Sequence, residues 1–198
     1  PLDCDYCDTD HSANPSVAVG NTQLSNPVSA ADLAAALSEN FALGYYHSIS
    51  FTGGEPHPYM DFRKEISQLL RPRLQLFLET SGHDPQLLTD IADSFDYLSV
   101  DLKGHFVPFQ EHADRLLSAV GLIQQSKVYM KIPLSPRDDE IVRFSAPIFR
   151  KYAVKQVWLQ PIDNKYSMAQ VLNWQVVFAE SGVDARFIPQ MHKLMDIP

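Results

Sequence analysis

The alternation of short apolar runs with single amphipathic stretches does most to narrow the folds open to this chain. Ser48–Phe51 closes in Thr52-Gly53-Gly54-Glu55-Pro56, and Leu74–Leu78 closes in Glu79-Thr80-Ser81-Gly82. Tyr97–Val100 closes in Asp101-Leu102-Lys103-Gly104, Val128–Ile132 in Pro133, Val157–Leu159 in Gln160-Pro161, and Ala185–Ile188 in Pro189-Gln190. Each run suits a strand and is bounded by turn residues.

Helical patterns fill the intervals. Ser29 is placed to cap Ala30–Asn40, Tyr59–Leu70 stops before Pro72, and Pro85 after Asp84 opens a further helix. Glu111–Gln125, Asp138–Arg150 and Ser167–Ser181 follow, with Gly182 as the stop of the last. The stretch Asp8–Pro27, rich in Asn, Ser, Pro and Gly, is expected to be a long loop. Strands separated by single helices imply parallel βαβ units, and both a barrel and an open doubly wound sheet fit this alternation. Either architecture places its ligand at the strand C-termini, where the polar residues of this chain gather. One α/β domain over residues 1–198 is the economical reading, since the length suits a single core.

The formal charge of -8 opposes binding to a phosphate backbone, so nucleic acid is not an expected partner. A small anionic ligand is still allowed, because a pocket can be locally basic on an acidic protein. No apolar run approaches the ~20 residues of a membrane helix, and no membrane partner is expected.

The only cysteines are Cys4 and Cys7. Two thiolates at this spacing can bind one metal or two irons of a cluster. Half a zinc site, with His11 as the nearby third ligand, and a thioredoxin-like pair are the alternatives, although a redox pair should open a helix. Gly53 and Gly54 end a strand, and paired glycines let the backbone approach a ligand without a Cβ in the way.

The cysteine spacing, the GGEP strand end and the successive polar strand ends together resemble the radical S-adenosylmethionine superfamily over nearly the whole chain. The resemblance implies an incomplete (β/α) barrel, a partial TIM barrel. It also implies a 4Fe–4S cluster held by three cysteines, with S-adenosylmethionine on the fourth iron. The CxxxCxxC motif of the family puts its first cysteine directly before Pro1, so the chain is expected to be N-terminally truncated, lacking that cysteine and the first strand. By the same resemblance Cys4 and Cys7 are cluster ligands and Tyr6 lies beside the adenine. Gly53, Gly54 and Glu55 line the methionine amino group, while Ser81 and Lys103 are further candidates for cofactor contact.

Within the superfamily, several segments resemble the 7-carboxy-7-deazaguanine synthases of queuosine and archaeosine (7-deazapurine) biosynthesis. These are Cys7-Asp8-Thr9, Glu79-Thr80-Ser81-Gly82, Leu159-Gln160-Pro161 and the tail Gln190-Met191-His192-Lys193 before Pro198. The likeness implies a radical lyase acting on a small pterin, with Mg2+ bound through Thr9. It also implies Gln190, His192 and the terminal carboxylate of Pro198 as substrate contacts. A reductant such as flavodoxin or ferredoxin, a cytoplasmic location and a homodimer are compatible with it. The QGEG-like substrate segment of that family is absent from this chain.

Other readings of the same residues stay open. Asp101 and Lys103, two apart on one strand, point to one face and could form a structural ion pair. Asp101-Leu102-Lys103 also resembles the DLK segment of glycyl-radical activases, and a non-catalytic cofactor- or metal-binding barrel is the rival of another class. His11, His47, His57, His83, His105 and His112 lack metal-ligand spacing and default to surface or structural roles. Trp158 and Trp174 are more simply core or helix-face aromatics. Asp138, Asp139 and Glu140 read as charge favoured at a helix N-terminus, and Glu79 as either a ligand-positioning or a backbone-satisfying group.

Overall fold

The computed structural model describes residues 14–52, 55, 59–106 and 108–196. A hairpin of β1 (Ser16–Val19) and β2 (Thr22–Ser25) comes first, then α1 (Ala30–Asn40). The chain continues as β3 (Ser48–Phe51), α2 (Met60–Leu70), β4 (Gln75–Thr80), α3 (Pro85–Ile91) and β5 (Tyr97–Asp101). It ends with α4 (Phe109–Leu122), β6 (Val128–Leu134), α5 (Asp139–Lys151), β7 (Gln156–Pro161), α6 (Met168–Glu180), β8 (Asp184–Phe187) and α7 (Met191–Met195). Strands β3 to β8 make a six-stranded sheet taken in chain order, and the pairings described within it are parallel. Among the described residues the sheet is not closed, as expected of an incomplete (β/α) barrel.

The chain divides into two compact units. The first holds everything to Glu79 together with Asp93–Tyr97. In it, β3 pairs with β4 from Ser48 opposite Gln75 to Phe51 opposite Leu78. Leu76 and Leu78 are fully buried, and the Phe51 ring meets Phe95 edge-on at 5.7 Å. Ser29 caps α1 as expected: its Oγ accepts the Asp32 N–H at 3.0 Å.

The hairpin replaces part of the loop expected over Asp8–Pro27, of which residues 8–13 lie outside the described residues. Its physical basis is the two-residue turn Gly20-Asn21, where Gly20 has φ +57° and so suits glycine. A Cβ on Gly20 would stand 2.6 Å from Asn40 Oδ1, which itself accepts the Asn21 N–H at 2.9 Å.

The second unit, Thr80–Ala92 and Leu98–Pro198, carries the in-register strands β5 to β8. Its apolar layer is built from Leu98, Val100, Ile132, Val157 and Leu159 on the strands and Leu116, Phe149 and Phe178 on the helices, all fully buried. Side chains alternate along each strand. Val100 therefore belongs to the layer that meets Leu116 of α4, as Gly82 between them records, while Asp101 belongs to the opposite face. Burying the apolar layer stabilises by roughly 1.5–3 kcal/mol per large side chain. That gain commits one face of each strand to the helices and leaves the other face for polar chemistry.

The expected helices are present, each within two or three residues of its expected ends, and Pro85 stands at the first turn of α3 under the Asp84 cap. Two features lie beyond the sequence reading: Pro147 inside α5, and the short α7 in the tail.

Candidate functional site

The candidate residues of the first unit stand just after β3. Gly53 and Gly54 lie outside the described residues, as do Cys4, Tyr6, Cys7, Thr9 and Pro198. Glu55 is half-buried, and its charge acts on Arg63 of α2. Burial lowers the Arg63 pKa from its ordinary value, and Glu55 opposes that shift. The Arg63 guanidinium sits 6.0 Å from the Phe51 ring centroid, and its Nη1 finds no hydrogen-bond acceptor among the described residues.

The second unit gathers the remaining candidates at its strand ends. At the end of β4, Thr80 Oγ1 accepts the Gly82 N–H at 3.0 Å and Ser81 Oγ accepts the His83 N–H at 3.2 Å. These two bonds shape the turn, with Gly82 at φ +59°, and hold the buried Ser81 in place.

Asp101, the last residue of β5, lies between two lysines. Lys103 Nζ is 3.6 Å from Asp101 Oδ2, and Lys131 Nζ is 3.3 Å from Oδ1. The Asp101–Lys103 ion pair weighed from the sequence is therefore present, with Lys131 of β6 as an unforeseen third member. The Lys131 contact is one of charge, because Asp101 Oδ1 is buried without a hydrogen bond among the described residues. All three side chains are about four-fifths buried, where ion pairing is stronger than on an open surface.

Register extends this group across the sheet. Asp101 stands opposite Lys131, Lys131 opposite Trp158, and Trp158 opposite Arg186. These four residues share one face, opposite the apolar layer. The Arg186 guanidinium lies 5.4 Å from the Trp158 ring centroid, a cation–π arrangement, and the Trp158 Nε1–H is buried with no acceptor among the described residues. Trp174, by contrast, is a core residue whose Nε1–H donates to Asp139 at 2.6 Å. Simple core burial thus describes Trp174 and not Trp158.

After β7 the chain makes a turn in which Asp163 (φ 55°) and Asn164 (φ 52°) are both left-handed. The tail docks on this turn. Gln190 Oε1 accepts the Asp163 N–H at 2.6 Å, Asn164 Oδ1 accepts the Gln190 N–H at 2.9 Å, and Asn164 Nδ2 donates to the Gln190 carbonyl at 3.3 Å. Lys193 and Lys165 both pair with the Asp163 carboxylate, and their hydrogen bonds hold its pKa below the ordinary value. His192 lies in α7 on the exposed side of the tail.

In the segments after β4 and β5, the Phe106 ring is surrounded by His83 at 5.3 Å, His105 at 4.7 Å and His112 of α4 at 4.4 Å. His112 is buried and its pKa is pushed down to about 4, first by burial and then by the charges of Arg115, His83 and His105. No group of three or more His, Cys, Asp or Glu suited to a metal occurs among the described residues. Nor is any described helix long and apolar enough to cross a membrane.

In the second unit the Ser81 hydroxyl and the Lys103 ammonium are groups that a carboxylate accepts from, and in the first unit the Glu55 carboxylate is one that an ammonium donates to. The thiolates that suit iron, Cys4 and Cys7, lie outside the described residues.

Comparison with known proteins identifies the family. The radical SAM superfamily model matches residues 1–112 of the 198. A 7-carboxy-7-deazaguanine synthase of Methanothermobacter thermautotrophicus is 38% identical over 102 residues, which are 52% of this chain and 37% of that protein. The protein of the same name from Methanopyrus kandleri is 27% identical over 158 residues, covering 76% of this chain and 61% of its own length. The Geobacter sulfurreducens 7-carboxy-7-deazaguanine synthase is 27% identical over 216 residues, covering 98% of this chain and 85% of its own. The match thus spans less than two thirds of the first two relatives. Membership implies a 4Fe–4S cluster and S-adenosylmethionine as cofactors. The family model covers more than half of the chain, and the chain belongs to the radical SAM superfamily of enzymes.

Proposed function

We propose that this chain is the core of a radical SAM lyase of the 7-carboxy-7-deazaguanine synthase type. The reaction would convert 6-carboxy-5,6,7,8-tetrahydropterin to 7-carboxy-7-deazaguanine by ring contraction and loss of ammonia. The observation that best supports this reading is the docking of the tail. Gln190 is bonded to Asp163 and Asn164 of the turn that follows Leu159-Gln160-Pro161, so the Q-x-H-K segment is held beside a strand C-terminus. Strand C-termini are where such sheets bind ligands.

When bound, the cluster and S-adenosylmethionine supply one-electron cleavage and the carbon radical that starts the reaction. The chain's own residues supply position. Cys4 and Cys7 would hold two irons, and Tyr6 would flank the adenine. Glu55, with the backbone of Gly53 and Gly54, would accept from the methionine ammonium. Ser81, held by its bond to the His83 N–H, and Lys103 would donate to the methionine carboxylate. Lys103 is aligned for this by its pairing with Asp101. Thr9 would bind a Mg2+ ion that neutralises the substrate carboxylate. Gln190 would donate through its Nε2, because its Oε1 is taken by Asp163, and His192 and the Pro198 carboxylate would complete the substrate contacts. A flavodoxin or ferredoxin reductant, a cytoplasmic location, a single core domain and a homodimer belong to the same reading.

The test is incubation of the reconstituted complete gene product with the pterin, dithionite, S-adenosylmethionine and Mg2+. Formation of the deazaguanine is expected. Cleavage of S-adenosylmethionine without that product would retire the substrate assignment and leave the family assignment intact.

A further inference from the structure

We propose that Asp163 and Asn164 are positioning residues: the left-handed turn after β7 is a clamp that sets where the tail segment carrying His192 stands. The inference rests on the reading above in one respect, that this tail meets the substrate. The clamp itself stands on the geometry.

Two consecutive non-glycine residues at φ 55° and 52° are costly, because their Cβ atoms crowd the following carbonyl. Such strain persists only where surrounding contacts over-determine it, and it gathers at functional positions. Here most of the compensating side-chain contacts described lead to the tail. The Asn164 carboxamide reads the Gln190 backbone in both directions, accepting from its N–H and donating to its carbonyl, as a neighbouring strand would. The Asp163 N–H donates to the Gln190 side chain, and the Asp163 carboxylate draws Lys193 from the following turn of chain. Lys165 holds the same carboxylate from the turn's own side.

These contacts bracket His192, which has Gln190 on one side and Lys193 on the other. No residue of α7 is buried: Met191, Leu194 and Met195 are about half exposed or more. Among the described residues α7 therefore has no buried apolar side chain, and polar contacts with the turn hold it. A five-residue helix is not stable by itself.

The left-handed turn also explains why these two residue types stand here. Asn and Asp tolerate αL better than other side-chain-bearing residues. Asn alone offers a donor and an acceptor in one planar group. Asp163 would act through its charge and its backbone N–H, and Asn164 through its carboxamide. Neither need touch the substrate.

The experiment compares the reconstituted complete gene product with its Asn164→Ala, Asn164→Asp and Gln190→Glu variants. Readouts are hydrogen exchange over residues 190–195 and steady-state kinetics with the pterin. Loss of the Asn164 carboxamide is expected to speed exchange of the Gln190 amide by about ten-fold, the weight of one net hydrogen bond or slightly more. KM for the pterin should rise by a similar factor, with cleavage of S-adenosylmethionine in the absence of substrate unchanged. Asn164→Asp keeps the acceptor for the Gln190 N–H and should recover much of the protection. Gln190→Glu keeps the acceptor for the Asp163 N–H and should leave tail exchange near that of the wild type.

Unchanged tail exchange in Asn164→Ala would overturn the clamp, and a loosened tail with unchanged KM would overturn its positioning role. If the wild-type protein fails to convert the pterin, the synthase reading falls, while hydrogen exchange still decides the clamp.

Discussion

Substituting Gly82 by alanine tests the link between backbone conformation, packing and cofactor position. Gly82 follows Ser81 in the turn after β4 and has φ +59°. An alanine Cβ there would lie 2.4 Å from Leu116 Cδ1 and 3.1 Å from Val100 Cγ1, against an ordinary carbon–carbon separation of about 3.5–4.0 Å. The left-handed backbone alone costs an L-residue ~1 kcal/mol or slightly more. Forcing a methyl into a filled core costs a further ~1–3 kcal/mol, because Leu116 is fully buried and cannot swing into solvent. The sum is ~2–4 kcal/mol, equivalent to a fall of about 5–15 °C in Tm for a domain of this size.

Urea unfolding of G82A, L116A and the double variant separates the two parts. G82A should cost the full amount in the wild-type background and only ~1 kcal/mol beside L116A, where the methyl has room. The same turn carries Ser81, whose Oγ accepts the His83 N–H while Thr80 Oγ1 accepts the Gly82 N–H, so G82A should also weaken S-adenosylmethionine binding. A cost below ~1 kcal/mol, or an equal cost in both backgrounds, would refute the packing argument.

Three further outcomes follow from particular contacts. His112 is neutral when folded, with a pKa of about 4 against 6.5 in the unfolded chain. Its stabilising contribution is thus fully present above about pH 6.5 and is lost as the pH falls towards 4, at ~2–3 kcal/mol in all. Urea titrations of wild type and His112→Phe across that range should therefore diverge, and parallel curves would contradict the assignment. Ser29→Ala removes the acceptor for the Asp32 N–H and should cost ~1 kcal/mol by thermal melting, whereas no loss would mean that the cap is idle. Pro147 is exposed inside α5, so Pro147→Ala should stabilise by ~1–2 kcal/mol through a restored helical donor. A drop in Tm would show that the helix does not need that bond.

The fold was legible where local chemistry and tertiary role agree. Pro85 after Asp84, Ser29 before an Ala-rich helix and Gly182 after α6 mark boundaries by rules that act within a few residues, and the structure obeys them. The hairpin resembles a loop in sequence because Ser16–Val19 and Thr22–Ser25 are short and partly polar. Its signal was the Gly20-Asn21 pair, a two-residue turn that closes antiparallel strands.

The candidate site divides in the same way. Ser81 and Lys103 were visible because strand ends are marked by turn residues. Lys131 and Trp158 were not, because their place beside Asp101 and Arg186 depends on register between strands about 30 residues apart, which no local pattern encodes. Asn164 gave a weak signal, the tolerance of Asn for left-handed backbone. Its partner Gln190 lies 26 residues on, so the clamp appears only once the tail has docked.

The central claim, that this is a radical SAM core, is tested most directly by anaerobic iron–sulfur reconstitution of the complete gene product, followed by electron paramagnetic resonance with and without S-adenosylmethionine. A reduced 4Fe–4S signal that changes when S-adenosylmethionine is added is the expected result. A reconstituted protein that holds no cluster, or whose signal ignores S-adenosylmethionine, would contradict the claim and leave a sheet that binds rather than catalyses.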